Sequence, residues 1–193
     1  MRIIAGEHRG RRIAAPPGRG TRPMLDRVRE ALFSTLGEIV HGARVLDLCA
    51  GSGSLGLEAL SRGAQSARLV ERDRKTLAVL RSNVEALCAG ERAEIVAGDA
   101  LEPSSWGGAD ARYELVFFDP PYPWLRAGVR RAPLLRAVQQ LVAAHLAPDG
   151  VIVLHAPRGL LAAEAFGPGV AARLREYGTN ALWYLRVPGL EGS

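Results

Sequence analysis

Val45-Leu-Asp-Leu-Cys-Ala-Gly-Ser-Gly-Ser-Leu-Gly56 joins an apolar run to a glycine-rich turn. The run Ala43–Leu48 reads as a buried strand, and Leu55–Arg62 reads as a helix with Leu55, Leu57, Ala59 and Leu60 on its apolar positions. Glycine allows a sharp turn and close approach of a ligand, while the following helix offers free N–H groups. Gly51, Gly53 and Gly56 fit a dinucleotide fingerprint as well as other nucleoside sites. Asp47 discriminates. A nicotinamide-dinucleotide turn follows an uninterrupted apolar strand, whereas a carboxylate here can reach a ligand's ammonium group; a purely structural turn residue is the alternative.

Strand-like and helical stretches alternate outward from this turn. Ala67–Val70, Glu94–Val96, Glu114–Phe118 and Val151–Leu154 read as strands; Arg74–Leu87 and Leu134–Leu146 read as amphipathic helices. Such alternation predicts parallel strands with crossover helices. Ala172–Glu176 and Leu182–Val187 are separated only by Tyr177-Gly-Thr-Asn-Ala181, which suits an antiparallel hairpin. The expectation is an α/β, Rossmann-like class I methyltransferase fold: a seven-stranded, mostly parallel sheet with an antiparallel last strand. One domain spans 1–193, with a basic N-terminal extension over 1–24 and a helical segment over 25–40. In its helix, Leu25–Leu36, Val28, Leu32 and Phe33 face the core while Arg27, Arg29 and Glu30 stay outside.

That fold points to S-adenosylmethionine as the cofactor. Asp47 would serve its amino-acid end. Glu71, ending the second strand, would hold the ribose hydroxyls, a role that nicotinamide-dinucleotide sites share. Asp99 can accept from the adenine amino group or cap a helix. The cofactor-facing set is Asp47, Ala50, Gly51, Ser52, Gly53, Gly56, Glu71, Arg72, Asp99, Ala100 and Asp119.

Phe117-Phe-Asp-Pro-Pro-Tyr122 is the most specific signal. Consecutive prolines fix φ and remove backbone donors, so the loop presents carbonyls. Asp119 and the Pro120 carbonyl can accept both hydrogens of an exocyclic amine, drawing its lone pair out of conjugation and aiming it at a methyl donor. Tyr122 offers a ring for the target base, worth roughly 1–3 kcal/mol. Asp119, Pro120, Pro121 and Tyr122 are thus the catalytic candidates, with Asp119 an orienting acceptor more than a base. In-line displacement is achieved mainly by positioning.

The net charge is +5, and Lys75 is the only lysine. Arginine forks suit phosphate and guanine, although a GC-rich genome gives the same bias. Arg9, Arg11, Arg12, Arg22 and Arg27 lie in a Gly/Pro-punctuated N-terminal stretch suited to a phosphate backbone, and Trp124 can line the base pocket. The Arg126, Arg130 and Arg131 cluster can grip phosphates or form a solvated face. Cys49 and Cys88 read as buried small hydrophobes, Trp106 and Trp183 as packing residues, and His8 as exposed. His41, His145 and His155 show no partner that would make them acid–base candidates. No metal site is readable, and neither a bilayer-length apolar run nor a secretion signal is seen, which gives a cytoplasmic protein.

Four segments carry a family resemblance: Arg2-Ile-Ile-Ala-Gly with Arg9-Gly-Arg-Arg; Thr21-Arg-Pro with Asp26-Arg-Val-Arg-Glu-Ala-Leu-Phe; the run from Leu46 to Ala64; and Asp119-Pro-Pro-Tyr. Together they resemble the bacterial small-subunit ribosomal RNA guanine-N2 methyltransferase family, named for guanine 966 of 16S RNA. The resemblance implies a monomeric enzyme acting on 16S rRNA or an assembly intermediate of the small subunit, with no membrane or metal partner. Met24 and Leu25 depart from it, standing where two threonines are common. So does Leu154-His155-Ala-Pro-Arg158, where glutamates are common. An exocyclic-amine DNA methyltransferase and a non-catalytic RNA-binding assembly factor are the alternatives.

Overall fold

A computed structural model describes residues 1–16, 24–126 and 128–189. Seven strands form one sheet: β1 (Arg44–Leu48), β2 (Ser66–Glu71), β3 (Ala93–Ala97), β4 (Tyr113–Phe118), β5 (Leu146–Pro157), β6 (Ala171–Tyr177) and β7 (Asn180–Arg186). Their order is β3-β2-β1-β4-β5-β7-β6. The first five strands run parallel, and β7 alone is reversed, antiparallel to both β5 and β6. This is the sheet that the sequence predicts.

Strand alternation divides the core between the sheet's two faces. Val45, Leu115, Phe117 and Val153 pack on one side with helices α1 (Asp26–Leu36), α2 (Gly56–Ser61) and α3 (Arg74–Ala86). Leu46, Leu48, Val116 and Phe118 pack on the other with α5 (Arg131–Ala144). Strands covered on both faces read as continuous apolar runs, which is why Ala43–Leu48 and Glu114–Phe118 are legible. Asp73 caps α3 by accepting from Thr76 N at 2.8 Å.

Two boundaries differ from the sequence reading. β5 begins at Leu146, inside the predicted helix, and passes through Pro148-Asp-Gly150. Its pairing with β4 shifts register between Tyr113 and Leu115, and that irregularity absorbs a proline that donates no ladder bond. The final hairpin tightens to a two-residue turn, because Tyr177 pairs with Asn180 across Gly178 and Thr179.

Residues 1–16 lie against the body rather than reaching away from it. Ile3 and Ile13 are buried in the core, and an Arg2–Arg12 bridge closes the segment on itself. The buried Glu58 carboxylate accepts from Ile4 N at 2.7 Å and Ala5 N at 3.0 Å. Asn83 accepts from Ala14 N and donates to the carbonyls of Ala14 and Ser52, joining this segment, α3 and the glycine loop. Arg29, expected outside, is fully buried: its guanidinium donates to the Arg2 carbonyl and to Asp26, so the N-terminal segment covers it. Cys88 is exposed, not buried, at φ 52 just beyond α3, and Cys49 is only partly covered in the turn after β1.

Candidate active site

The sheet order reverses between β1 and β4, and open α/β sheets bind ligands outside the carboxyl ends of strands at such a point. Two loops meet there. Asp119 N donates to Leu48 O at 3.3 Å, tying the Asp-Pro-Pro-Tyr loop to the end of β1. The glycine turn lies beside it. A Cβ on Gly56 would lie 2.3 Å from Leu69 Cδ2, so only glycine allows α2 to start against β2. A Cβ on Gly51 would meet only the Cys49 carbonyl, at 3.9 Å, and the outer side of this turn is open to a ligand.

Four carboxylates surround the crevice. Asp47 is buried, and its Oδ2 accepts from Gly56 N at 2.9 Å, stapling the start of α2 to β1. Glu71 accepts from Gly51 N at 3.0 Å through one oxygen, and from Arg72 N and Asp73 N at 2.8 Å through the other. Asp99 accepts from Leu101 N at 3.0 Å, from Arg130 at 2.8 Å and from Arg72 at 3.4 Å. The fourth is Asp119. Burial pushes the Asp47 carboxyl up to about 8, against the Gly56 N–H and with help from the charges of Asp119 and Glu71. The Cys49 thiol is pushed up by burial and then by the charges of Glu71, Asp119, Asp47 and Asp99. The crevice therefore carries negative potential, and a cationic ligand relieves it.

Pro121 begins a one-turn helix, α4 (Tyr122–Leu125), that the sequence reading leaves as loop. Pro120 is buried, whereas Asp119, Pro121 and Tyr122 are partly exposed. Trp124 is buried, with the guanidinium carbons of Arg72 and Arg130 4.8 and 4.6 Å from its ring centre. The ring expected to line a base pocket thus packs between cation and core. Ser52 is buried, and Ala100 accepts from Trp106 Nε1. Both Trp106 and Trp183 are packing residues, as expected.

His155 overturns the expectation that it has no partner. Its Nδ1 stands 2.8 Å from Asp119 Oδ1 and its Nε2 2.9 Å from Asn180 Oδ1. A signal for this exists in the sequence. Phe118 pairs with Leu154, so Asp119, just past the end of β4, and His155, the next residue on β5, stand side by side. His145 packs edge-on to Trp106 with Nδ1 near the Ala111 carbonyl, and His41 is exposed. The His8 side chain is largely covered, not exposed, with Nε2 3.2 Å from Glu7.

Arg9, Arg12 and Arg27 are exposed, and Arg11 reaches the Ala86 carbonyl at the end of α3. Arg27 lies beside the β6–β7 turn, 3.8 Å from where a Cβ on Gly178 would stand. Arg22 lies outside the described residues. Among those described, no helix is long and apolar enough to cross a membrane, and no three His, Cys, Asp or Glu side chains form a metal-holding group.

The profile of a protein family described as Conserved hypothetical protein 95 matches residues 1–186. The chain belongs to that family. YlbH of Bacillus subtilis, which carries an rRNA methyltransferase name, is 36% identical over 186 residues, 94% of this chain and 96% of that protein. Ribosomal RNA small subunit methyltransferase D of Escherichia coli strain K12 is 44% identical over 122 residues, 63% of this chain and 60% of that one. The solved structure of yhhF from Escherichia coli, which bears a methyltransferase name, is 36% identical and superposes with a TM-score of 0.78 over 97% of this chain and 98% of that chain.

Proposed function

We infer that the chain is an S-adenosylmethionine-dependent rRNA methyltransferase that places one methyl group on N2 of a guanine, guanine 966 by its resemblance, in small-subunit 16S rRNA. The observation that carries this reading is the joining of the Asp119-Pro-Pro-Tyr122 loop to the end of β1, beside the glycine turn and its carboxylates. The names of relatives in the same family supply the substrate class. An acid-lined crevice fits a ligand with an ammonium group and a sulfonium. Glu71 would hold the ribose hydroxyls, with Gly51 letting the ligand close on the backbone. Asp47 would face the amino-acid end, and Asp99 and Ala100 the adenine. The bound cofactor supplies an electrophilic methyl group.

The chain's own residues do the rest. Asp119 and the Pro120 carbonyl accept the two amine hydrogens and turn the nitrogen lone pair out of the ring. Tyr122 stacks on the base. So held, the nitrogen would face the methyl group that the bound cofactor would supply, and the amine proton would pass to solvent water. Arg9, Arg11, Arg12, Arg22 and Arg27 give the RNA a basic approach, and the cytoplasm is where such a substrate lies.

Asp119→Ala tests the reading. Transfer of labelled methyl to small-subunit RNA should fall by several orders of magnitude while RNA affinity, read by filter binding, stays within about twofold, since one partly covered acid adds little to phosphate binding. Retained transfer would sink the assignment. Wild-type RNA binding without transfer on any substrate would favour an assembly factor.

A further inference from the structure

The Asp119 carboxylate is not held by its own loop alone. His155, buried at the end of β5, spans the gap between it and the β6–β7 hairpin. Asp119 Oδ1 and Asn180 Oδ1 are both acceptors, one facing each ring nitrogen. The orientation of the Asn180 amide is set from the far side, because its Nδ2 donates to the Tyr177 carbonyl at 3.2 Å. A neutral imidazole has one N–H, so it would leave one pair of acceptors face to face. Turning the amide would only move that clash to Tyr177. Two donors satisfy the arrangement, and the ring has two only when it is charged.

We propose that His155 is a positioning residue for methyl transfer: held as an imidazolium between Asp119 and Asn180, it fixes the carboxylate that receives the target amine. The proposal rests on the reading of Asp119 as that acceptor. Tyr122 belongs to the same assembly, with its ring edge-on to His155 at 5.9 Å and its hydroxyl 3.4 Å from Asn180 Oδ1. One charged ring thereby sets both the amine acceptor and the stacking ring, and ties both to the last hairpin.

The groups facing His155 agree. Asp119 approaches from the end of β4, the Tyr122 phenol from α4, and the uncharged Asn180 amide from β7. Burial alone favours the neutral ring, but the bond to Asp119, its charge and the Asn180 bond outweigh it and raise the pKa above the usual 6.5. The ring is therefore charged below that raised value and loses the second proton as pH climbs through it.

Nitrogen-15 spectra of the full chain, with ring nitrogens labelled, read the charge directly. Both nitrogens of His155 should be protonated at neutral pH. His155→Gln, which keeps a donor but carries no charge, should lower kcat by up to about 10²-fold, as a small misplacement of the acceptor does. Its cofactor KM should barely change, and the alkaline decline of the wild-type kcat profile that follows His155 should vanish. A singly protonated ring overturns the proposal, and this wild-type measurement decides the matter if the variant does not fold. Wild-type kcat and pH profile in His155→Gln, beside loss of transfer in Asp119→Ala, overturn it alone. Full transfer by Asp119→Ala sinks the amine-acceptor reading and the positioning role together.

Discussion

Asp47 shows how burial and function meet in one side chain. With its carboxyl pushed up to about 8 against an ordinary 3.8, the folded protein holds a proton between those values that the unfolded chain has lost. This contribution to stability is full below the lower value and is lost as pH rises through the upper one. Asp47→Asn should therefore flatten the fall of the urea midpoint between about pH 4 and 8 relative to wild type. A cationic ligand at Asp47 reverses the preference and expels the proton. Calorimetry of S-adenosylmethionine binding at neutral pH, in two buffers of different ionisation enthalpy, should show release approaching one proton, which Asp47→Asn abolishes. No release in the wild type would place the ligand's ammonium elsewhere. Residue roles of this kind are only half legible in sequence. Asp47 is marked by its place just before the glycine turn and Glu71 by the strand it ends, whereas His155 takes its partners, and Arg29 its contact with Arg2, from segments far along the chain.

Among the elements, α1 carries a defect that is readable in one line of sequence. Leu25 occupies its N-cap and makes no side-chain cap, while 44% of its surface is exposed. Leu25→Thr should supply the missing acceptor and raise stability by about 1 kcal/mol, measured by urea unfolding. An unchanged midpoint would mean that the N-terminal turn is satisfied in another way. The N-terminal segment makes the opposite point. A Cβ on Gly6, at φ 82, would lie 1.7 Å from the Ser61 carbonyl oxygen. Gly6→Ala should cost about 1 kcal/mol or more, on the order of a strained backbone site, and loosen amide protection of residues 3–13. The seven strands and four of the helices follow from periodicity, because two-sided burial and helical faces leave a local imprint. The β5 start does not, since Pro148-Asp-Gly150 looks like a loop until a register shift on β4 accommodates it. The packing of residues 1–16 is equally hidden: its anchors, Glu58, Ser61 and Asn83, lie more than 50 positions away.

At the scale of the whole molecule, the carboxyl ends of the strands bring the acidic side chains and the Asp-Pro-Pro-Tyr loop together. On the proposed function the carboxylates would serve the cofactor and the loop the base, while the N-terminal segment runs past the far ends of α2 and α3, where Glu7 N donates to Ser61 O and Arg11 to Ala86 O. Arg9→Ala with Arg12→Ala should weaken RNA binding and reduce its logarithmic salt slope by roughly 0.7 for each phosphate no longer neutralised, leaving cofactor affinity unchanged. An unaltered slope would remove these residues from the RNA path. The proposed cofactor and base sites are legible because each has its own motif; no motif marks a path for RNA, since the arginines are scattered along the chain. The most direct test is the reaction itself. Purified protein, labelled S-adenosylmethionine and small ribosomal subunits from a strain lacking the gene should yield a single N2-methylguanosine in 16S RNA by nucleoside mass spectrometry. Label in any other nucleoside, or none in the presence of measurable cofactor binding, would contradict the account.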